Sequence, residues 1–139
     1  MQKFKYTNEY ELRASPKMLF PYISTASGLS EWFCDKVNTK PDHSFDFVWD
    51  KESHIAEQSS LRLNKSVKFE FMNTSDANRD NNYIEFKIDV SDLTGSTYLR
   101  ITDYSANADA EELKDLWDGL IESLKEIVGS WRMTNEKNW

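Results

Sequence analysis

The chain has 139 residues with few glycines and prolines and many aromatics, the size and composition of one globular domain. Its net charge of −7 and the lack of a long basic run argue against nucleic acid as a partner, because phosphate binding needs clustered Lys and Arg. No apolar run is long enough for a membrane helix, and residues 1–12 lack the apolar stretch of a signal peptide. With Cys34 as the single cysteine, no internal disulfide can form. We therefore expect a cytoplasmic protein without membrane insertion.

The N-terminal segment predicts one strand followed by two short helices. Apolar and charged side chains alternate over residues 3–13, the pattern of a half-buried strand. Ser15 and Pro16 are residue types typical of a helix N-cap and of the first helical position. A second short turn begins at Ser27 or Gly28. It carries three large apolar residues: Leu29, Trp32 and Phe33.

Further strands are predicted in the middle of the chain. Each has one apolar and one polar face, which is typical of an antiparallel sheet with one wet side. Short connections favour pairing between sequential neighbours, and the polar stretch 73–82 is read as a hairpin loop. The alternating segments are 45–50, 55–63, 67–71, 84–90 and 98–102.

A long C-terminal helix is predicted from residue 109 onwards. Asp109 can cap it, with Glu112 placed as in a capping box. Apolar residues then recur at three- and four-residue steps, which gives one broad stripe that only the sheet can cover. The stripe consists of Leu113, Leu116, Trp117, Leu120, Ile121, Leu124, Ile127, Val128 and Trp131.

The order of these elements predicts an α+β fold. A curved antiparallel sheet of about six to seven strands would wrap around the long C-terminal helix. Two short helices after the first strand would close one end. Side chains between sheet and helix would either line a cavity or fill the space. We take the following as candidate ligand-binding residues: Trp32, Phe33, Phe47, Trp49, Glu57, Phe69, Phe71, Phe86, Trp117, Leu120, Ile121 and Leu124.

Several segments resemble the START-like superfamily, which has the helix-grip fold. ASPKMLFPYISTASGLSEWFCDKV (residues 14–37) is similar to the opening of bacterial members related to homologues of the heat-shock ATPase activator, where a Gly-Leu-x-x-Trp-Phe turn follows a short helix. FDFVWD, LTGSTYLRITDYS and ELKDLWDGLIESLKEIVG also look like this branch. The resemblance covers nearly the whole chain and implies one START-like domain over residues 1–139. Because the superfamily includes lipid carriers, hormone receptors, cyclases and co-chaperone domains, it implies no single function.

Two aromatic residues and one carboxylate can each be interpreted in two ways. Trp32 and Phe33 are either a gate at a cavity mouth or a hydrophobic plug at the end of the core. Glu57 has the parity of the apolar residues in its strand. It therefore either faces inward, as a site residue that is costly to bury unpaired, or is turned outward by a β-bulge.

We expect no chemical role for the remaining candidates. Asp103 has inward parity but stands near a strand end, where we expect exposure to solvent. His43 and His54 have no metal or triad spacing and are expected at the surface. Cys34 is expected to be inert, because the neighbouring Asp35 disfavours a thiolate. No motif for a phosphate loop, metal site or nucleophile elbow is found, so we expect no cofactor, no metal and no catalytic residue.

The leading hypothesis is a non-enzymatic module that binds a small hydrophobic or lipid-like ligand between sheet and helix, with Glu57 orienting the polar end. One alternative is a co-chaperone-type interaction module, which would bind a chaperone through its outer surface and short helices. A weaker alternative is an enzyme of the polyketide-cyclase type, which would depend on Glu57 as acid or base. The sequence leaves the ligand and the oligomeric state open.

Overall fold

The computed structural model describes residues 3–72, 81–106 and 109–137, and for 129–137 the description is confined to the backbone. The described elements follow the predicted order of one strand, two short helices, a run of strands and a long helix. The described elements are β1 (Phe4–Leu12), α1 (Pro16–Ser24), α2 (Ala26–Ser30), β2 (Lys36–Thr39), β3 (Phe45–Trp49), β4 (Glu52–Arg62), β5 (Ser66–Phe71), β6 (Tyr83–Val90), β7 (Thr97–Ser105) and α3 (Ala110–Lys137).

These strands form one antiparallel sheet in the order β1-β7-β6-β5-β4-β3-β2. The predicted pairing of sequential neighbours is confirmed from β2 to β7, while β1 lies beside β7 because α1 and α2 carry the chain across to the other edge. The short strand β2 was missed, since its four residues include one buried side chain, Val37. Of the predicted hairpin loop, residues 73–80 lie outside the described residues, and the strands on either side of it pair as expected.

The two short helices form the end of the fold that the sequence indicated. Ser15 caps α1 as predicted, and its hydroxyl accepts a hydrogen bond from the Met18 amide at 3.2 Å. The start predicted for α2 is slightly late, because Thr25 is its cap and accepts from the Gly28 amide at 3.0 Å. A Cβ on Gly28 would lie 2.1 Å from the carbonyl oxygen of Pro21. Glycine therefore permits the close approach of α2 to α1.

Helix α3 packs its apolar stripe on the concave face of the sheet. The predicted cap is confirmed, since the Glu112 amide donates to Asp109 Oδ1 at 2.9 Å. Leu116 departs from the prediction with 54% exposure, and the side chain of Trp131 lies outside the description. The stripe residues that are buried are Leu113, Trp117, Ile121, Leu124 and Val128.

A bulge in β4 reverses the predicted orientation of its N-terminal half. The register against β5 shifts between Gln58 and Ser60, and one extra residue exchanges the two faces of a strand. Ala56 is therefore the fully buried inner residue, while Glu57 is exposed on the outer face. Of the two orientations considered for Glu57, the outward one produced by a β-bulge is the one found, and its inclusion among the interior ligand-binding candidates is wrong. The apolar residues beyond the bulge are also exposed, Leu61 at 54% and Leu63 at 77%.

Candidate ligand-binding site

A cavity of about 720 Å³ lies between α3 and the end of the sheet at which β5 and β7 finish and β6 starts. This volume lies within the range of roughly 300 to 1,000 Å³ that is typical of small-molecule sites. The segment after α2 and the turn between β3 and β4 complete its wall. Candidate residues that line it are Trp32, Phe33, Trp49, Phe71, Trp117 and Leu120.

The other candidates lie elsewhere in the molecule. Glu57, on the outer face, is outside the cavity. The remaining residues belong to a filled core beside it, where their side chains are no more than 1% exposed. The candidates found in this filled core are Phe47, Phe69, Phe86, Ile121 and Leu124.

Trp32 and Phe33 are held in place by the end of the fold. The indole Nε1–H of Trp32 donates to the Tyr22 carbonyl oxygen at 2.8 Å, which ties the residue to α1. Phe33 stacks on Trp117 with ring centroids 5.6 Å apart. Both residues are buried and also line the cavity. These contacts fit a wall that seals the core better than a swinging gate.

Asp103 is the buried carboxyl group of the cavity, and the expectation that it would be exposed is wrong. Strand β7 continues past it and pairs it with Tyr6 on one side and Ile84 on the other. Its side chain consequently lies under α3, 8% exposed, and Oδ2 accepts a hydrogen bond from Trp117 Nε1 at 2.9 Å. Burial raises the pKa of Asp103, and the hydrogen bonds from Trp117 and Ser105 oppose that effect.

His54 also contradicts the sequence prediction. It has the inward parity that the bulge gives to this half of β4, is half-buried and lines the cavity. Its ring packs edge-on against Trp49 with centroids 5.0 Å apart. By contrast, His43 is exposed in a turn, as predicted.

Cys34 lines the same cavity. Its thiol donates to the Lys36 carbonyl oxygen at 3.3 Å. The pKa of the thiol is raised, chiefly by burial and further by the charge of Asp35. Because the thiolate is the nucleophile, this direction agrees with the prediction of an inert residue.

The rim of the cavity is acidic. Glu31, Asp35 and Asp50 are all exposed at this rim. The Asp50 amide donates to Asp35 Oδ2 at 3.1 Å, which joins the turn after β3 to the segment after α2. Within the described part of the chain, no cluster of His, Cys, Asp and Glu could hold a metal ion. None of the described helices combines the length and apolar character needed to cross a membrane.

Comparison with known proteins decides the family. A family model of the START-like superfamily domain matches residues 1–130. The chain belongs to the START-like superfamily. Its seven-stranded antiparallel sheet, C-terminal helix and two short helices after β1 are those of the START-like helix-grip fold. A search of curated proteins found no match.

Solved structures with this START-like fold come from several bacteria. BfR322 from Bacteroides fragilis is 32% identical, with a TM-score of 0.60 over 96% of this chain and 92% of its own. The Aha1 dimer from Colwellia psychrerythraea is 16% identical, with a TM-score of 0.71 over 90% of this chain and 96% of its own. MLL2253 from Mesorhizobium loti is 17% identical, with a TM-score of 0.71 over 91% and 98%. At their low identities, the last two show the fold alone.

The polar side chains of the cavity were not predicted from the sequence. Asn82 directly precedes β6, Tyr83 is the first residue of that strand, and Tyr104 and Ser105 end β7. Strand ends carry weak alternation, so their orientation could not be assigned from parity. The one available signal was Asp103, whose inward parity was noted but set aside because the strand was thought to end there.

Proposed function

We propose that this START-like domain binds a small hydrophobic ligand in the cavity between the sheet and α3. The cavity itself carries the proposal, because a space of about 720 Å³ remains beside a core that is otherwise filled. Its aromatic wall would supply most of the affinity by removing apolar surface from water, at about 25 cal/mol per Å² before the costs of association.

In this proposal, Asp103 takes the role that the sequence assigned to Glu57. A ligand site in protein is mostly apolar, with a few placed polar groups that orient the ligand. Asp103 is such a group, since it is buried at the cavity and held by Trp117. The outward position of Glu57 also removes the acid or base on which the cyclase-type hypothesis depended.

The first experiment compares two substitutions on adjacent exposed positions of α3. Ser123 lies at the cavity and Glu122 does not, so Ser123→Trp should obstruct the mouth while Glu122→Trp adds the same ring outside it. Titration with the neutral fluorescent dye Nile red measures binding. We expect Ser123→Trp to weaken binding about tenfold, equivalent to about 1.4 kcal/mol, and Glu122→Trp to leave it unchanged. Equal effects of the two substitutions would argue against this site.

Native mass spectrometry of the protein from its natural host tests the same proposal with natural ligands. A reproducible added mass that is lost on denaturation, and is absent from Ser123→Trp, would support the cavity as a carrier site. A bare protein mass together with no dye binding would contradict the proposal. It would then favour the interaction-module hypothesis, in which the outer surface binds a protein partner.

A further inference from the structure

Apart from the imidazole of His54, the described side chains that line the cavity and ionise near neutral pH are all carboxyl groups, so their charges have one sign. The chain contains 17 Lys and Arg residues, yet none of those in the described ranges lines this cavity. The carboxyl groups that line it are Glu31, Asp35, Asp50 and Asp103. A cavity bounded in this way attracts cations and repels anions, because low-dielectric walls concentrate the field of the charges at the opening.

This asymmetry is local rather than a consequence of the net charge. A second hollow lies at the opposite end of the sheet, where the β4–β5 and β6–β7 turns meet. It is lined by the basic residues Arg62, Lys65, Lys87 and Arg100, with Glu9 and Asp89 among them. Basic side chains therefore do occupy concave surfaces of this protein, and their absence from the described lining of the cavity is specific to it.

The interior of the cavity also offers a hydrogen-bond acceptor. Asp103 accepts the Trp117 bond through Oδ2, and a carboxylate has room for further donors on its two oxygens. A ligand that brings N–H groups would be able to donate to this carboxylate.

The walls suit the same class of ligand. Three indole rings and two phenyl rings line the cavity, from Trp32, Trp49, Trp117, Phe33 and Phe71. Aromatic faces attract organic cations, with Trp the strongest, and they also stack on flat ligands. An ammonium group on a hydrophobic body would thus find carboxylates for its charge and rings for its body.

We propose that the cavity selects hydrophobic organic cations, amines with an aromatic or aliphatic body, over fatty acids and other anionic amphiphiles. This inference rests on the proposed ligand-binding function and specifies its ligand class. Asp103 receives the ammonium group at depth, and the carboxylates of Glu31, Asp35 and Asp50 attract it at the mouth. An anionic head group would face four carboxyl groups without a described Lys or Arg to pair with.

The test uses three probes that share one naphthalene body: 2-(1-naphthyl)ethylamine, 2-(1-naphthyl)ethanol and 1-naphthaleneacetate. Isothermal titration calorimetry gives a Kd for each. We expect the amine to bind about tenfold more tightly than the alcohol, in line with the greater strength of charge-assisted hydrogen bonds, and the acetate to bind most weakly. In Asp103→Asn, the amine should fall to the affinity of the alcohol while the alcohol is unaffected.

Asp89→Asn is the matched control, because it changes the net charge equally at the exposed, opposite end of the sheet. The double variant Glu31→Gln/Asp50→Asn changes exposed residues at the rim, and it replaces Asp103→Asn as the test variant if Asp103→Asn does not fold. Asn tolerates the positive φ of 49° at position 50, and the double variant should reduce the preference for the amine.

The outcomes separate the two proposals. Failure of all three probes to bind would overturn the ligand-binding function and this inference with it. Tight binding of the acetate, or equal losses of amine affinity in Asp103→Asn and Asp89→Asn, would overturn the cation preference alone. The expected order of affinities, lost only in the cavity variants, would support both.

Discussion

Two neighbouring parts of the interior use the same kinds of side chain with different results. In the filled core, Phe47 and Phe69 pack edge-to-face with centroids 5.3 Å apart, and neither is more than 1% exposed. Toward the end of the sheet, Phe71 and Trp49 form an equally aromatic surface that borders a cavity of about 720 Å³. Residue type therefore does not decide whether an inner ring fills space or lines it.

Position relative to the two short helices accounts for the difference. In the filled part, Leu19 and Ile23 of α1 and Leu29 of α2 are completely buried and close the space between sheet and α3. At the other end the sheet extends beyond these helices, and polar residues such as Asp103 and Asn82 replace apolar ones on the inner wall. Close packing gives stability, whereas the incomplete packing at this end leaves space for a ligand.

Substituting matched rings gives the largest expected effect. Phe47→Ala removes a completely buried ring and should lower the free energy of unfolding by about 3 to 5 kcal/mol. Phe71→Ala removes the same ring from the half-buried wall of the cavity, so we expect less than about half of that loss. Urea denaturation of both variants measures the difference. Equal losses would mean that the two regions are packed alike.

Much of the fold could be predicted from periodicity. The alternation in β1 and the three- and four-residue spacing in α3 specify which faces are buried, and the caps Ser15 and Asp109 were identified because capping depends on local residue type. For Glu57, parity left two orientations open. The outward one is found because a bulge of one residue between Gln58 and Ser60 reverses the face, and such a bulge leaves no mark in composition.

The site was less predictable, because it depends on how far elements extend and on how the sheet curves. Asp103 was misplaced when β7 was taken to end early. Whether Phe47 or Phe71 would border empty space could not be derived from alternation, which gives both the same inward face. Trp32 and Phe33 were expected at the end that the two short helices close, because they follow the second of these helices, and the indole of Trp32 is bonded there to Tyr22 of α1.

The hydrogen bond between Trp117 of α3 and Asp103 at the cavity gives a second, smaller effect. Trp117→Phe keeps an aromatic ring but removes the Nε1–H that donates to Asp103 at 2.9 Å. The loss of that donor should cost about 1 to 3 kcal/mol of unfolding free energy, because a buried acceptor loses its partner. Thermal or urea denaturation measures it. Adding Asp103→Leu should make the double variant more stable than the two single costs predict, and strict additivity would show that the bond contributes nothing.

The smallest effect concerns pH, and it tests whether burial at the cavity disfavours the ionised form of Asp103. Because burial raises the pKa of Asp103, the native state keeps this proton to higher pH than the unfolded chain, whose carboxyl has a pKa of about 3.9. Across the window from that value up to the raised pKa, the native state binds more protons, so this group lowers the free energy of unfolding as pH rises.

Asp103→Asn lacks this titration. Its free energy of unfolding relative to that of the unmodified protein should therefore increase with pH through the same window and be constant on either side. The hydrogen bonds from Trp117 and Ser105 to Asp103 should keep the change small. Urea denaturation of both proteins in steps from about pH 4 to pH 8 measures the difference, in which the other titrating groups cancel. A difference that decreases with pH would mean that the carboxylate is stabilised in the native state. In that case the protein around the cavity would already stabilise the Asp103 carboxylate without a ligand. The cavity would then differ from the filled core only in how closely the side chains are packed.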